Sequence, residues 1–434
     1  MAFENNPIAP FAGVLKETQW APPARLAELQ HRLLGRLVRH AAAETAIYGE
    51  RLRPVMGSDG EFQPARWEEL PIVHRRDLQE SQDGFLARSI PAGAGATTMH
   101  STSGSTGRSM VFPVNSALSA VSGALIERAH DWVGADRDLP YVTISVPREP
   151  DPFRVEGAIR RRWSWLGGEG LHGVMSIEAP ISAQLDFLDR VGPAYLRTYT
   201  TNAVALAKAG KGRPWARTIR HVFAFGEVLE DDHVAAIRDC LGVGVTSFYG
   251  SEEAGQMATL CPHSGDFHIA SEVVHVELLR EDGSPCAPGE SGRVVVTPFY
   301  AYAMPLIRYD QGDHAVLGDR PCGCGRTLPT MRRILGRSRD MFVLPNGDRI
   351  WPRLSETLML RHLPALQRQI VQHAPDRIEL RYVHDGSDRQ PDEPALAALF
   401  KARYAPEVEL TVTRCDDIPR SPGGKFREFV CLVE

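Results

Sequence analysis

The chain has 434 residues, 43% hydrophobic and 24% charged, with 49 basic and 54 acidic residues and a net charge of −5. That length suggests two or three domains, and the near-balanced charge gives no reason to expect nucleic acid or an anionic membrane as partner. The opening MAFENNPIAPFAGVLKETQW has no basic segment leading into an apolar one, no run of 18 apolar residues occurs, and the seven cysteines are scattered. No secretory signal, transmembrane helix or disulfide scaffold is therefore expected, and a reducing cytoplasm is the expected location.

Over 22–52, Leu26, Leu29, Leu33, Leu34, Leu37 and Val38 recur at helical spacing, which predicts one helix. Leu70-Pro71-Ile72-Val73 then predicts a short extended segment. YVTISV (141–146), VFAF (222–225) and VGVTSF (243–248) suit buried strands, and 182–191 and 232–241 suit amphipathic helices. This alternation predicts an α/β fold with layered helices on a largely parallel sheet. From about 267 the texture turns to β: 268–279, 292–298 and 315–317, with turns at Glu281-Asp282-Gly283 and Pro288-Gly289. A β subdomain over about 267–330 is expected. The last region holds a helix at 354–363, a strand at 378–383, a helix at 393–404 and a strand at 408–412. These divide the chain into a large N-terminal domain, 1–336, and a small α+β C-terminal domain, 337–434.

The sharpest local signal is a hydroxyl-rich, glycine-bearing stretch. Ser101, Thr102, Ser103, Ser105 and Thr106 offer hydroxyls, while Gly104 and Gly107 free the backbone to turn tightly. Such a loop can wrap phosphate oxygens. It is not a Walker A sequence, and on its own it reads equally well as a solvated Ser/Gly linker. Four more segments follow it: Phe248-Tyr249-Gly250-Ser251-Glu252-Glu253, Pro305-Leu306-Ile307-Arg308-Tyr309-Asp310-Gln311-Gly312-Asp313, Gly336-Arg337-Ser338-Arg339-Asp340, and Arg420-Ser421-Pro422-Gly423-Gly424-Lys425. Taken singly, each is also an ordinary solvated turn.

In this order the five segments resemble the motifs of the adenylate-forming superfamily of acyl-CoA synthetases, adenylation domains and luciferases. Short length, the opening helix followed by Tyr48-Gly49-Glu50, and Cys322-Gly323-Cys324-Gly325-Arg326-Thr327 resemble its phenylacetate–CoA ligase family in particular. The resemblance implies activation of a carboxylic acid, aromatic or aryl-acetic by family default, with ATP to an acyl-adenylate. Transfer to a thiol would follow, with CoA as the implied acceptor and an amine or carrier-protein phosphopantetheine as alternatives. A nucleotide-binding module without turnover is the rival from another class. By resemblance, Lys425 is the catalytic lysine on a mobile small domain. Tyr249 and Gly250 face adenine, as does the strand end at Phe225-Gly226-Glu227. Asp313 takes the ribose hydroxyls, Arg337 contacts ATP, and Glu253 holds Mg²⁺, with Glu252 as competitor. Cys261, His268, Cys322 and Cys324 would make a closed structural Zn²⁺ site, with His263 competing for the imidazole position. A homodimer is compatible with the family. The acid pocket is expected near 144–146, 198–203 and 226–228. Two features depart from the family: Arg339 stands where an acidic residue or lysine is usual, and the run 343–352 (VLPNGDRIWP) replaces the usual one after the hinge.

Overall fold

The computed structural model describes residues 6–101, 110–146, 156–421 and 423–433. It opens with a helix that the sequence reading did not pick out, Ala9–Thr18, which buries Leu15. The next helix, Pro23–Glu44, starts on a proline whose missing N–H has no partner to lose at that position, and it buries Leu26, Leu33, Leu34, Leu37, Val38 and Ala41. The single helix expected over 22–52 is broken. Thr45 is extended (φ −114°, ψ 155°), and the chain resumes as Tyr48–Arg51. The cause is local: the Thr45 hydroxyl donates to Ala41 O at 2.9 Å and accepts from Tyr48 N–H at 3.2 Å, competing with the helical ladder. The break turns Tyr48 fully inward, where its ring meets Phe85 edge-on and its hydroxyl accepts from Ile307 N–H at 3.0 Å.

Among the described residues the main sheet has 13 strands. Its path runs Val274–Leu279, Ser291–Pro298, Tyr309–Leu317, Thr330–Arg337, Phe267–Ile269, Gly255–Leu260, Gly244–Ser251, His221–Phe225, Tyr195–Tyr199, Tyr141–Ser145, Leu171–Ser176 and Ala158–Arg161. Only the stretch from Gly244–Ser251 to Leu171–Ser176 is parallel; the other neighbours on the path are antiparallel. The strands expected to form a largely parallel layer do pair in parallel, and the sheet as a whole is mixed because antiparallel strands extend it. After Ser251 the chain reverses through Gly255 (φ 74°) in a connection too short for a crossover helix, so the next strand must pair antiparallel. The strands of the expected β subdomain are hydrogen-bonded edge to edge with the parallel part and continue the same sheet.

Helices Ile181–Val191, Thr200–Ala209 and Asp231–Leu241 connect the parallel strands. Strand order reverses around Tyr141–Ser145, which has Leu171–Ser176 on one side and Tyr195–Tyr199 on the other. In open α/β sheets, such a switch point at the carboxyl ends of strands is where ligands bind.

Arg308 ties the N-terminal segment to this sheet. It adopts φ 51°, a strained value for a residue with a Cβ. Its guanidinium donates to Leu70 O at 2.6 Å and Glu68 O at 3.0 Å and pairs with Glu277 at 3.0 Å. Val73–His74 then runs parallel to Tyr309–Asp310, matching the expected extended segment.

The C-terminal part has its own four-stranded sheet, in the order Glu409–Cys415, Arg377–His384, Ala365–Ala374, Phe429–Cys431. Helices Glu356–His362 and Glu393–Arg403 accompany it around a separate core of Phe342, Met359, Leu363, Ile370, Leu380, Leu396 and Phe400. The longest strand here, Ala365–Ala374, carries glutamines, arginine and histidine that blur its alternation, and it was not expected. Among the described residues no helix is long and apolar enough to cross a membrane.

Tyr48→Phe should strand the buried Ile307 amide. A loss of about 1–3 kcal/mol is expected, measurable as a lower denaturant midpoint at unchanged slope.

Candidate active site

A cavity of about 210 Å³ opens at the carboxyl ends of the parallel strands, closed on its far side by the C-terminal part. Gly226, Glu227, Tyr249, Gly250, Asp313, Arg337 and Lys425 all line it. These residues come from five separate sequence segments, and folding brings them to one place.

The polar atoms of Arg337, Asp313 and Tyr249 form a connected chain. Asp313 and Arg337 face each other across antiparallel strands, and Arg337 Nε lies 3.3 Å from Asp313 Oδ1. The Tyr249 hydroxyl donates to Asp313 Oδ2 at 3.0 Å and accepts from Gln311 Nε2 at 2.8 Å. Burial and the charge of Asp313 push the Tyr249 phenol well above its ordinary pKa, so it remains a donor. An ionised carboxylate has about four acceptor sites. Asp313 spends part of that capacity on Tyr249 and Arg337 and keeps room for further donors.

Lys425 arrives on a tight turn, closed by Ser421 N–H to Lys425 O (2.9 Å) and Gly424 N–H to Ser421 O (2.8 Å). Gly424 has φ 72°, and a Cβ there would lie 2.5 Å from Val146 Cγ2 and 2.9 Å from the Tyr199 hydroxyl. Only glycine lets the turn seat this closely. The Tyr199 hydroxyl donates to Gly423 O at 2.9 Å. Gly226 has φ 80°, and a Cβ on it would sit 3.5 Å from Lys425 Cε, so the lysine stem runs over that glycine. Burial and the nearby Arg337 lower the Lys425 pKa, against the pull of Asp313, Glu253 and Glu252.

Glu227, expected with Gly226 at the adenine, has its carboxylate engaged by protein donors on both oxygens. Gly226 and Glu227 line the cavity, but the Glu227 carboxylate accepts from Arg420 Nη1 (3.1 Å) and Phe426 N–H (2.6 Å) on one oxygen and Thr201 N–H (2.8 Å) on the other. Arg420 and Thr201 were missed as partners, because nothing local in sequence relates positions 201, 227 and 420.

Of the hydroxyl-rich stretch, Ser101 ends the exposed strand Thr97–Ser101, which pairs with Val111–Asn115. Thr102, Ser103, Gly104, Ser105, Thr106 and Gly107 lie outside the described residues. The base of the stretch stands against the acidic turn: His100 Nδ1 is 3.4 Å from Glu252 Oε2. Glu253 is buried, and its Oε1 accepts from the Tyr309 hydroxyl at 3.3 Å. It lies within electrostatic reach of both Arg337 and Lys425. The carboxylate is a hard oxygen donor of the kind Mg²⁺ takes. Of the residues expected near the acid pocket, some reach this cavity and others do not. Thr201, Gly226, Glu227 and Val228 line the cavity, whereas Ile144, Thr198, Thr200, Asn202 and Ala203 are buried in packing, with Asn202 Nδ2 bonded to Gln184 and Thr198.

Away from this cavity, Cys261, His268, Cys322 and Cys324 bring their ligand atoms within 4.8 Å of one another. Cys261 Sγ and Cys322 Sγ are 3.7 Å apart, and Cys324 Sγ lies 3.3 Å from His268 Nε2. A tetrahedral zinc with Zn–S near 2.3 Å requires sulfurs about 3.8 Å apart. His268 Nδ1 lies 3.3 Å from Leu328 O, which orients the ring with Nε2 toward the thiols. Burial holds His268 neutral, with its pKa down at about 4. Cys261 comes from the turn before strand Phe267–Ile269, which carries His268, and the other two cysteines from the loop before Thr330–Arg337. His263 lies beside Gly323, outside the four-residue group.

No family model matches the chain. A phenylacetate-coenzyme A ligase of Thermus thermophilus is 28% identical over 243 residues, 50% of this chain and 52% of that protein. Protein CapK of Staphylococcus aureus is 21% identical over 414 residues, 93% of this chain and 88% of that one. The chain thus spans about half the length of the phenylacetate-coenzyme A ligase it matches. Among solved structures, a 2-hydroxyisobutyryl-CoA ligase in its postadenylation state superposes with a TM-score of 0.74 at 18% identity, covering 96% of this chain and 91% of that one. The same ligase in its thioesterification state, with adenylate and CoA, gives 0.61 at 18% identity over 95% and 91%. The fold is that of the adenylate-forming enzymes.

If the four-ligand cluster holds zinc, elemental analysis should return one zinc per chain. Cys324→Ser should reduce that content and lower the melting temperature. A metal-free wild type with an unchanged melting temperature would contradict a structural zinc.

Proposed function

We propose that the chain belongs to the phenylacetate–CoA ligase family of the adenylate-forming superfamily, and that it activates a carboxylic acid with ATP and passes the acyl group to a thiol; its partial similarity to a phenylacetate-coenzyme A ligase and its adenylate-forming fold support this reading. In the first step a substrate carboxylate oxygen attacks the α-phosphorus, the bond to the β-phosphate oxygen breaks, and pyrophosphate leaves. In the second a thiol sulfur attacks the acyl carbonyl of the mixed anhydride and AMP departs. CoA is the proposed thiol and an aromatic or aryl-acetic acid the proposed substrate. The observation that carries this reading is the convergence of Lys425, from the C-terminal part, on the cavity built by Tyr249, Asp313 and Arg337 of the main sheet.

Both reactants of the first step are anions, so the site must supply positive charge in fixed positions. Lys425 offers a compact ammonium where charge develops on the α-phosphate, and Arg337 offers a guanidinium beside it. The Tyr249 ring, anchored at its hydroxyl, presents a face for a purine. Asp313 keeps acceptor capacity for the ribose hydroxyls. Ser101 to Gly107 are proposed to wrap the outer phosphates. Mg²⁺ held by Glu253 would, when bound, offset phosphate charge. The zinc cluster is proposed as structural, and residue 337 as the start of a domain that turns between the two steps. The higher TM-score against a postadenylation state than against a thioesterification state supports reading this arrangement as the one before the turn. The departure at 343–352 favours, as a second reading, an acceptor other than CoA.

A panel of carboxylic acids scored by pyrophosphate release, with and without CoA, tests the activity. Silence across the panel sinks it, and release that CoA does not accelerate favours the second reading. Lys425→Ala should lower adenylation by roughly 10²–10³ while leaving thioester formation from a supplied acyl-adenylate largely intact. Equal loss in both steps would remove the assigned role.

A further inference from the structure

We infer that Glu227 is a positioning residue: its carboxylate latches the Lys425 turn to the main sheet and so sets how much of the protein stands ready for adenylation. The inference rests on the proposed reading of Lys425, but its geometry stands independently.

Glu227 follows the strand His221–Phe225 directly after Gly226, whose positive φ of 80° turns the side chain's backbone out of the strand line. The side chain is 6% exposed. Its three protein donors come from two places. Thr201 N–H belongs to the first turn of helix Thr200–Ala209 and holds Oε2 from the sheet side. Arg420 Nη1 and Phe426 N–H both belong to the C-terminal segment and both hold Oε1. Phe426 immediately follows Lys425, so the bond from its amide fixes the peptide that carries the lysine. Arg420 braces the same turn from the other side, donating to Gly424 O at 3.1 Å and to Thr201 Oγ1 at 3.1 Å. Arg420, Glu227, Thr201 and Phe426 therefore close a ring around the base of Lys425.

A carboxylate so occupied has little left to offer a ligand, and a bare anion aimed at a triphosphate would repel it. Holding the cation's carrier is the role that fits both facts. The latch is also finely balanced. Burial pushes the Glu227 carboxyl above the usual range despite Arg420 and the two amides. Buried ion pairs gain little net stability once desolvation is counted. A contact of this kind selects one pose without making it permanent, as a part that must later turn away requires. When the C-terminal part turns, Glu227 loses two of its three donors and Arg420 loses its partner together with them.

The test compares Glu227→Gln, Glu227→Ala and Arg420→Lys with wild type in the full-length protein by three readouts. Adenylation of whichever acid the panel identifies should fall roughly 10–100-fold in kcat for both Glu227 variants, since small misplacements of a catalytic group cost rates of this order. KM for ATP should change little, and Arg420→Lys should retain part of the rate. Thioester formation from a supplied acyl-adenylate should hold or rise. Hydrogen exchange across 420–429 should quicken by about 10-fold or more in Glu227→Ala. Unchanged exchange in that segment overturns the latch whether or not an acid substrate has been found. Equal loss in both half-reactions, or a raised KM for ATP at unchanged kcat, would also overturn it. If wild type releases no pyrophosphate with any acid, the proposed function falls, and the exchange comparison still decides the latch.

Discussion

A folded protein can hold charge out of water only by surrounding it with partners. The Asp313–Arg337 pair satisfies that constraint here. Arg337 is buried enough to resist ionisation, yet Asp313 and Glu253 more than compensate and keep it charged. Lys425 shares the same field: Arg337 repels it and the acidic turn attracts it. The site's cations and anions balance one another before any ligand arrives, which keeps the charges preorganised at modest cost.

The surrounding scaffold serves to keep Asp313 in place. It sits on a strand whose beginning is gripped by Arg308 and whose preceding loop is hung from the Tyr48 hydroxyl. Both grips reach back to the first 75 residues. The N-terminal helices therefore do more than cover the sheet; they fix the register of the Asp313 strand from a distant part of the chain. The cysteine cluster does similar work on the neighbouring strands, tying the turn before Phe267–Ile269 to the loop before Thr330–Arg337.

The C-terminal part meets the rest mainly through charge and hydrogen bonds. Arg353 pairs with Glu230 at 3.1 Å, Lys208 with Glu356 at 2.7 Å, and Glu356 N–H donates to Asp232 at 2.6 Å. Burial opposes charge on Glu428, yet His233 and Arg368 hold its pKa down to about 2. The apolar residues of this part pack into their own core. An interface of this polar kind is the sort that permits relative motion.

Sequence alone determined the motifs and therefore the cast of the site. Tyr249, Asp313, Arg337 and Lys425 stand out in sequence because their segments, in their order along the chain, resemble the adenylate-forming motifs, and the fold brings all four to one cavity. Helices 182–191 and 232–241 were legible because a half-buried helix must repeat its apolar residues every three to four positions. Tertiary structure alone decided the rest. Thr45 broke a helix that periodicity would continue, because one hydroxyl outbid the backbone. The short return after Ser251 joined the parallel strands and the β-rich region into one mixed sheet. Glu227 went to Arg420 and Phe426, partners almost 200 positions away that no local pattern relates to it. Local chemistry says what a side chain can do; which of its possible partners it meets is set by long-range packing that a linear reading does not contain.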